Sequence, residues 1–298
     1  MSHIFAGIFG AAVGDALGVP YEKKKRDTFT AEDMIVPGGQ ERPVGTWSDD
    51  TSTLLAEIES LGRVGHFDEA DVMNNFCSWI YGGKFTPHQQ AWGVGRTTSL
   101  AVQRFQDGTP PSECGGKELL DNGNGSLMRI LPFALLKDEN RLTIADRAGM
   151  LTHAHEISRS CCAVFASIID QVVDGVPLRE TIGPALQSPF VRLPEPIEQR
   201  ILHIDSLSRS DIKSSSYAVD TLIAAIWCCL KTDNYSDAVL TAVNLGDDTD
   251  TVGCVAGALA GVMYGINEEN GVCEAWIHAL CRSDWIQKLC EDVDYLMR

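Results

Sequence analysis

Two glycine repeats constrain how this chain can fold more than any other feature of its sequence. Glycine recurs at every fourth position in two apolar segments, at Gly10, Gly14 and Gly18 and at Gly253, Gly257, Gly261 and Gly265. Each glycine inside a helix costs about 0.5–1 kcal/mol relative to alanine, so some interaction must offset that cost. Because a four-residue repeat follows one ridge of a helix, close contact between two helix backbones would do so. We therefore predict that these segments form two central helices that pack tightly.

The rest of the chain has the apolar spacing of helices, and alternating strand patterns are scarce. Apolar residues recur at three- and four-residue intervals over residues 4–16, 50–62, 68–81, 97–106, 129–137, 143–149, 155–174, 216–231, 235–244, 250–264 and 284–297. We predict an all-α fold of ten or more helices in one domain spanning residues 1–298. Two long irregular stretches, residues 20–47 and 107–128, are expected to be functional or mobile loops.

The charge balance narrows the class of partner. The chain has 24 Lys and Arg residues against 41 Asp and Glu residues, a formal net charge of -17. Broad binding to a nucleic-acid backbone needs clustered basic residues, so we expect no nucleic-acid partner. The short basic run Lys23–Arg26 is interpreted as a solvated face. A large net charge favours a soluble monomer, which is the oligomeric state we expect.

Cysteine usage and the N-terminal pattern favour a cytoplasmic protein. The ten cysteines form no C-x-x-C motif, and we predict free, mostly buried thiols in a reducing compartment. The apolar N-terminal segment lacks Lys and Arg and contains Asp15, so we interpret it as a structural helix rather than a signal peptide. No apolar run approaches the ~20 residues that span a bilayer, and we expect no membrane partner.

Two acidic clusters, Trp47–Thr53 and Gly246–Thr251, each precede a helical run. Taken alone, each cluster is explained by helix capping and by acids in a first helical turn. If they converge, together with Asp15 and Glu22, several carboxylates meet. Two charges about 4 Å apart repel by about 4 kcal/mol at an effective dielectric of 20, so protons or cations would be needed. Carboxylates and hydroxyls suit Mg²⁺, Mn²⁺ or Ca²⁺ rather than Zn²⁺.

Two further motifs have both a structural and a functional interpretation. The loop Asp121–Arg129 contains glycines that let backbone N–H groups approach an anion, and Gly93–Thr98 is a weaker signal of that kind. Taken alone, each loop is more simply explained as a plain turn. His153 and His155 are two residues apart before a helical run, and residues at that spacing on a helix do not face each other. We therefore do not expect them to form a metal pair.

Together these segments resemble the ADP-ribosylglycohydrolase family, the DraG-like enzymes named for the dinitrogenase reductase-activating glycohydrolase. The matching segments, in chain order, are Gly14–Gly18 with Glu22, Trp47–Thr51, Gly123–Pro132, Thr152–His153, Tyr217–Thr221 and Gly246–Gly257. Each motif alone is weak, but their joint order and spacing, from about residue 4 to residue 265, are specific.

The resemblance implies a compact, orthogonal multi-helix bundle with a cleft that holds two divalent metal ions, Mg²⁺ or alternatively Mn²⁺. The implied metal ligands are Ser48, Asp49, Asp50, Asp248, Asp250 and Thr251. The implied catalytic carboxylates are Glu22, Asp49 and Asp248. The implied substrate-binding residues are Gly123, Asn124, Gly125 and Ser126, for the diphosphate, with His153, Tyr217 and Asp220.

The reaction that the resemblance implies is metal-dependent hydrolysis of the N- or O-glycosidic bond joining ADP-ribose to a protein side chain. Such a bond breaks through an oxocarbenium-like state, and the assignment of general acid and base stays open. Some arginine-specific members carry an acidic residue in the loop matching Gly93–Thr98, where this chain has Arg96. That difference weighs against arginine-linked substrates without selecting another linkage. Another dinuclear-metal hydrolase, acting on ADP-ribose derivatives or nucleotides, and a non-catalytic ADP-ribose binder stay open as alternatives.

Overall fold

The protein is built from helices. A computed structural model describes residues 3–36 and 42–298, and this part of the chain contains fourteen α-helices and no β-strand. The helices are α1 (His3–Gly18), α2 (Asp49–Val64), α3 (Glu69–Gly82), α4 (Arg96–Gln106), α5 (Leu131–Ala134), α6 (Arg141–Met150), α7 (Glu156–Val173), α8 (Leu178–Leu186), α9 (Glu195–Leu202), α10 (Ala218–Leu230), α11 (Tyr235–Val243), α12 (Thr249–Tyr264), α13 (Glu274–Ala279) and α14 (Ser283–Val293). The all-α prediction is confirmed, and of the irregular stretch 20–47, residues 37–41 lie outside the described residues.

Every predicted run contains a helix, and the differences are confined to short elements. Helices α8, α9 and α13 are not predicted by the apolar spacing. Helix α8 contains Gly183 and Pro184, residues typical of turns, and α13 has only 6 residues, too few to establish a period. The run predicted over 129–137 is α-helical only within α5, which follows a 3₁₀ turn over Leu127–Arg129.

The two glycine-bearing helices, α1 and α12, pack backbone to backbone. A Cβ atom built on Gly14 would lie 2.0 Å from the carbonyl oxygen of Gly253, and one built on Gly10 would lie 2.3 Å from that of Gly257. No side chain larger than hydrogen fits at these positions. The predicted tight packing is confirmed, and it offsets the helix cost of the glycines through close van der Waals contact along two buried helices.

The two helices run antiparallel, since Gly10 lies against Gly257 and Gly18 lies against Thr249. At the latter contact, the Thr249 hydroxyl donates a hydrogen bond of 2.8 Å to the Gly18 carbonyl oxygen. From neighbouring α11, the Tyr235 hydroxyl donates to the Gly10 carbonyl oxygen at 2.7 Å. These contacts hold the C-terminal end of α1 beside the N-terminal end of α12.

The N-terminal segment corrects the expectation that no apolar run approaches the length that spans a bilayer. Residues His3–Tyr21 form a 19-residue helical segment that is long and apolar enough, by length and composition, to cross a membrane. In the fold, 94% of its most apolar stretch is buried inside the protein. Its apolar character is therefore accounted for by its central place in the core.

The cysteines are free thiols, as the sequence predicts. All ten are unpaired and seven are buried, while Cys77, Cys273 and Cys281 are half-buried.

The basic run Lys23–Arg26 is only partly a solvated face. Lys24 and Lys25 are exposed. The Arg26 guanidinium instead donates to the carbonyl oxygens of Leu245, Arg209 and Ile212, at 2.8, 2.7 and 2.6 Å. Arg26 therefore fastens the loop after α1 to the segments that precede α10 and α12.

We expect Gly14→Ala to destabilise the fold by about 1–3 kcal/mol, because the new methyl group would overlap the Gly253 carbonyl oxygen. The matched control is Gly183→Ala in α8, where a Cβ atom meets nothing within 4 Å. That change should stabilise by about 0.5–1 kcal/mol through helix propensity. Urea unfolding followed by circular dichroism measures both variants. Wild-type stability in Gly14→Ala would contradict the backbone contact.

Candidate functional site

Three carboxylates from distant parts of the chain meet where α1, α2 and α12 come together. One carboxylate oxygen from each of Asp15, Asp50 and Asp250 lies within 4.8 Å of the others, and all three residues are buried. Asp15 belongs to α1, while Asp50 and Asp250 lie in the first turns of α2 and α12. The two acidic clusters of the sequence therefore converge.

Asp15 fixes the start of α2 against α1. Its carboxylate accepts hydrogen bonds from the backbone N–H groups of Ser48 and Thr51, at 3.0 Å each. It also accepts from the Thr51 hydroxyl at 2.6 Å. The N–H groups at the start of a helix need partners from outside the helix, and Asp15 supplies one from α1.

Asp50 has hydrogen bonds on one oxygen only. Its Oδ2 accepts from the Ser48 hydroxyl at 2.7 Å and from the Thr251 hydroxyl at 3.4 Å. Its Oδ1 is buried and has no partner among the described residues. A buried carboxylate oxygen without a donor is unfavourable, and a divalent cation among the three carboxylates would satisfy it. This set of hard oxygen ligands fits Mg²⁺ or Mn²⁺.

Burial dominates the proton affinity of these groups. It raises the pKa of Asp15 to about 6, although the hydrogen bonds from Thr51 and Ser48 act in the opposite direction. Burial, followed by the charges of Asp15 and Asp49, raises the pKa of Asp50 well above its ordinary value. The pKa of Asp250 is raised well above its ordinary value by burial and then by Asp50. Bound protons would therefore be displaced when a cation enters the cluster.

A cavity of about 760 Å³ opens beside the carboxylate cluster. The acidic residues of its wall are Glu22, Asp49, Asp247, Asp248 and Asp250. All three implied catalytic carboxylates therefore face one space. Glu22 also pairs with Lys23, whose ammonium nitrogen lies 2.9 Å from its Oε1.

The six implied metal ligands divide between the cavity wall and the layer behind it. The wall contains Asp49, Asp248, Asp250 and Thr251, whereas Ser48 and Asp50 are buried and are absent from it. The hydrogen bond that the Thr251 hydroxyl donates to Asp50 connects the two layers.

The glycine-containing loop forms another part of the wall through Gly123, Asn124 and Gly125. The Asn124 backbone N–H donates to the Ser216 carbonyl oxygen at 3.0 Å, and its side-chain amide donates to Asp248 at 2.7 Å. Within the described residues, the N–H groups of Gly123 and Gly125 have no partner. The loop thus offers two unpaired N–H groups beside the acidic wall, which suits a ligand with oxyanion groups.

The two histidines lie in different surroundings. His153 lines the cavity, and burial lowers its pKa to about 3 with a further contribution from the positive charge of Arg129, so its ring is neutral. The Nδ1 atom of His155 accepts from the Ile157 N–H at 3.2 Å and caps α7. Both histidines precede α7 instead of lying on it. The argument from the sequence, that residues two apart on a helix do not face each other, therefore does not apply to them.

Three of the implied substrate-binding residues are not on the cavity wall. Ser126 is fully buried, with its hydroxyl 3.2 Å from the Cys162 thiol. Asp220 accepts from the Ser215 hydroxyl at 2.7 Å, and it is Ser215 that lines the cavity. Tyr217 is half-buried, and its backbone pairs with that of the glycine loop.

The wall also contains Leu120, Ser215 and Ser216, which lie outside the motifs of the sequence. Five further wall residues lie within those motifs but are not among the implied site residues, namely Lys23, Thr97, Thr98, Met128 and Asp247. Asp15 is likewise absent from the implied ligands, although it belongs to the buried cluster. The sequence does contain a signal for it, since Asp15 is the only charged side chain within an otherwise apolar segment. A buried charge of this kind is normally paired or coordinated to a metal.

The profile of the ADP-ribosylglycohydrolase family matches residues 1–298. The chain belongs to the ADP-ribosylglycohydrolase family. The resemblance inferred from the motifs is thereby confirmed, and the family is identified from a match that extends well beyond those motifs.

Individual relatives agree with this assignment. The ADP-ribosylarginine hydrolase Tri1 of Pseudomonas putida is 31% identical over 290 residues, which cover 96% of this chain and 76% of that protein. The ADP-ribosyl-(dinitrogen reductase) glycohydrolase of Rhodospirillum rubrum is 30% identical over 273 residues, covering 87% of this chain and 84% of that protein. A solved structure of an ADP-ribosylglycohydrolase-related protein complex aligns with a TM-score of 0.83 at 28% identity, covering 99% of this chain and 97% of that one.

We expect Mg²⁺ or Mn²⁺ to raise the melting temperature of the wild-type protein and Asp50→Asn to lose most of that rise. An ion at about 100 times its Kd stabilises a fold by about 2.7 kcal/mol. In Asp50→Asn, the charge on the orphaned oxygen is gone, and the metal-free variant should be at least as stable as the metal-free wild type. Differential scanning calorimetry with and without each metal measures both effects.

The matched control is Asp233→Asn, which removes an exposed carboxylate outside the cavity wall. It should keep the full metal-dependent shift. An equal shift in Asp50→Asn would show that ions bind elsewhere.

Proposed function

We propose that this protein hydrolyses the glycosidic bond between the anomeric carbon of ADP-ribose and a side chain of a modified protein. The observation that carries the proposal is the buried cluster of Asp15, Asp50 and Asp250, which adjoins a cavity walled by further carboxylates and a glycine loop. Family membership supports the choice of substrate, because relatives of this chain are named as hydrolases of ADP-ribosylated substrates. Hydrolysis would release ADP-ribose and restore the side chain.

The proposal includes divalent cations, with Mg²⁺ or Mn²⁺ as the expected ions. The residues that would hold them are Asp15, Ser48, Asp49, Asp50, Asp248, Asp250 and Thr251. When bound, such ions would supply Lewis acidity toward ribose hydroxyls and water. The orphaned Oδ1 of Asp50 supports this part of the proposal.

The remaining wall residues would bind the substrate and move the proton. The unpaired N–H groups of Gly123 and Gly125 would face the diphosphate, which needs donors because it is anionic. Glu22 lines the cavity outside the buried cluster, so its carboxylate is available to take the proton of the attacking water. The Lys23 ammonium nitrogen, 2.9 Å from Oε1 of Glu22, would orient this carboxylate at the cavity wall.

We further propose arginine as the linked side chain, on the strength of the relatives named as ADP-ribosylarginine hydrolases. In the sequence, the positive charge of Arg96 weighs against an arginine linkage. In the structure this argument is weaker. Its guanidinium lies 3.4 Å from Asp121, a buried carboxylate that offsets its charge. The acidic wall at Asp49 and Glu22 is complementary to a guanidinium.

The direct test is release of free ADP-ribose from an ADP-ribosylarginine protein in the presence of Mg²⁺ or Mn²⁺. A panel with ADP-ribosylserine, O-acetyl-ADP-ribose and a simple phosphomonoester separates the linkage and tests the alternative of a general phosphoesterase. Turnover of none of the ADP-ribosyl substrates by folded, metal-loaded protein would refute the proposal. Tight binding of ADP-ribose without turnover would instead identify a non-catalytic binder.

We expect Glu22→Gln to lower kcat by about 10²- to 10⁴-fold, the usual range for loss of a general base. The metal-dependent rise in melting temperature should be unchanged, because Glu22 lies outside the buried cluster. Steady-state kinetics and calorimetry on the same sample separate the two effects, with Asp233→Asn again as control. Full activity in Glu22→Gln would exclude this role.

We expect Arg96→Ala to raise kcat/KM for ADP-ribosylarginine by about two- to fivefold, since an exposed like charge near the proposed position of the leaving group would be removed. The same change should leave the reaction with O-acetyl-ADP-ribose unaffected, because that substrate has no cationic leaving group. Equal changes for both substrates would argue against a guanidinium beside Arg96.

A further inference from the structure

A chain of buried polar side chains runs from the core to the cavity wall. The carboxylate of Glu57 pairs with the guanidinium of Arg129, and both side chains are fully buried. Arg129 Nη2 donates to the Thr152 hydroxyl at 2.8 Å and to the Ala148 carbonyl oxygen at 3.2 Å. The Thr152 hydroxyl lies in turn 2.8 Å from Nδ1 of His153, which lines the cavity.

The available protons fix the direction of each hydrogen bond in this chain. A guanidinium has only donors, so the Thr152 oxygen accepts from Arg129. The hydroxyl proton then needs an acceptor of its own, because Thr152 is fully buried. Within the described residues, the other atom bonded to this hydroxyl is Nδ1 of His153. Nδ1 is therefore the acceptor and carries no proton.

The other ring nitrogen consequently presents a donor to the cavity. In a neutral imidazole one nitrogen carries the proton while the other accepts, so the proton here lies on Nε2. Nε2 has no hydrogen-bond partner among the described residues, although His153 is only 4% exposed. A Cβ atom built on Gly125 would lie 3.2 Å from Nε2, and one built on Gly123 would lie 3.7 Å from it. Nε2 thus adjoins the glycine loop that lines the cavity.

We propose that Thr152 is a positioning residue that holds His153 as the Nε2–H tautomer, so that His153 donates a hydrogen bond to a phosphate oxygen bound beside Gly123 and Gly125. The Glu57–Arg129 pair holds Thr152 from the core side. The tautomer follows from the hydrogen bonds alone, whereas the phosphate rests on the proposed function. Because Nε2 can only donate in this tautomer, it favours an oxygen acceptor beside Gly123 and Gly125. It disfavours an ammonium or amide N–H group of a competing ligand at the same place.

The tautomer is measured in the free protein by ¹⁵N NMR of the histidine rings, with His153 assigned by its loss in His153→Gln. The expected spectrum shows a neutral His153 ring with the proton on Nε2. Thr152→Val removes the hydroxyl at nearly constant volume and should shift His153 toward a mixture of tautomers, while Thr152→Ser should keep the wild-type spectrum. A wild-type ring protonated on Nδ1, or on both nitrogens, overturns the inference whether or not the variants fold.

The ligand is tested by calorimetric titration of the metal-loaded protein with ADP-ribose. His153→Leu should weaken binding by about tenfold, the usual worth of a hydrogen bond to a charged group. Thr152→Val should weaken it by about two- to fivefold, because only the fraction of rings left in the Nε2–H form binds with full affinity. Thr152→Ser and His153→Gln, which keep the hydroxyl and the donor, should bind within a few-fold of wild type. The metal-dependent rise in melting temperature should be the same in all four variants, which excludes a general loss of the site.

The two ideas fail in different ways. Binding of ADP-ribose to Thr152→Val and His153→Leu as tight as to the wild type overturns the positioning role while leaving the proposed function intact. A wild-type protein that does not bind ADP-ribose overturns the proposed function and the phosphate contact with it, and the NMR spectrum still decides the tautomer.

Discussion

The contact on which the rest of the structure depends is the backbone-to-backbone packing of α1 and α12. Where Gly10, Gly14 and Gly18 face α12, no side chain separates the backbones of the two helices. That proximity brings Asp15, near the end of α1, within reach of Asp250, near the start of α12. A wider helix pair would hold the two carboxylates apart.

The positions of these carboxylates also reduce the repulsion between them. Two of the three buried carboxylates lie in the first turns of α2 and α12, where the positive ends of the helix dipoles favour negative charge. Asp15 receives two backbone N–H groups from the start of α2. What remains unsatisfied is concentrated on Asp50, whose Oδ1 has no donor in the described part of the chain. Donors from the protein therefore satisfy most of the cluster, and the unpaired oxygen of Asp50 is the atom that a cation would stabilise.

The long helices, the glycine contact and the acidic character of the site could be predicted from sequence because each leaves a local pattern. Short elements such as α13 could not, since six residues do not establish a period. The burial of each site residue could not be predicted either. Gly125 and Ser126 are adjacent in the loop, yet Gly125 lines the cavity and Ser126 is buried against Cys162. Asp15 was recognisable as an unusual charge, but its partners depend on helices more than 30 residues away. Convergence of this kind is set by tertiary packing, which no local spacing encodes.

The central position of α1 has a consequence for how the chain is made. Its Gly18 binds Thr249, 231 residues later in the sequence. At translation rates of about 5–20 residues per second, α1 leaves the ribosome roughly ten to fifty seconds before its partner exists. During that interval the face of this apolar segment that packs on α12 lacks its partner, although α2, which bonds to Asp15, is made much earlier. The contact between Gly18 and Thr249 therefore forms only after the C-terminal part of the chain has been made.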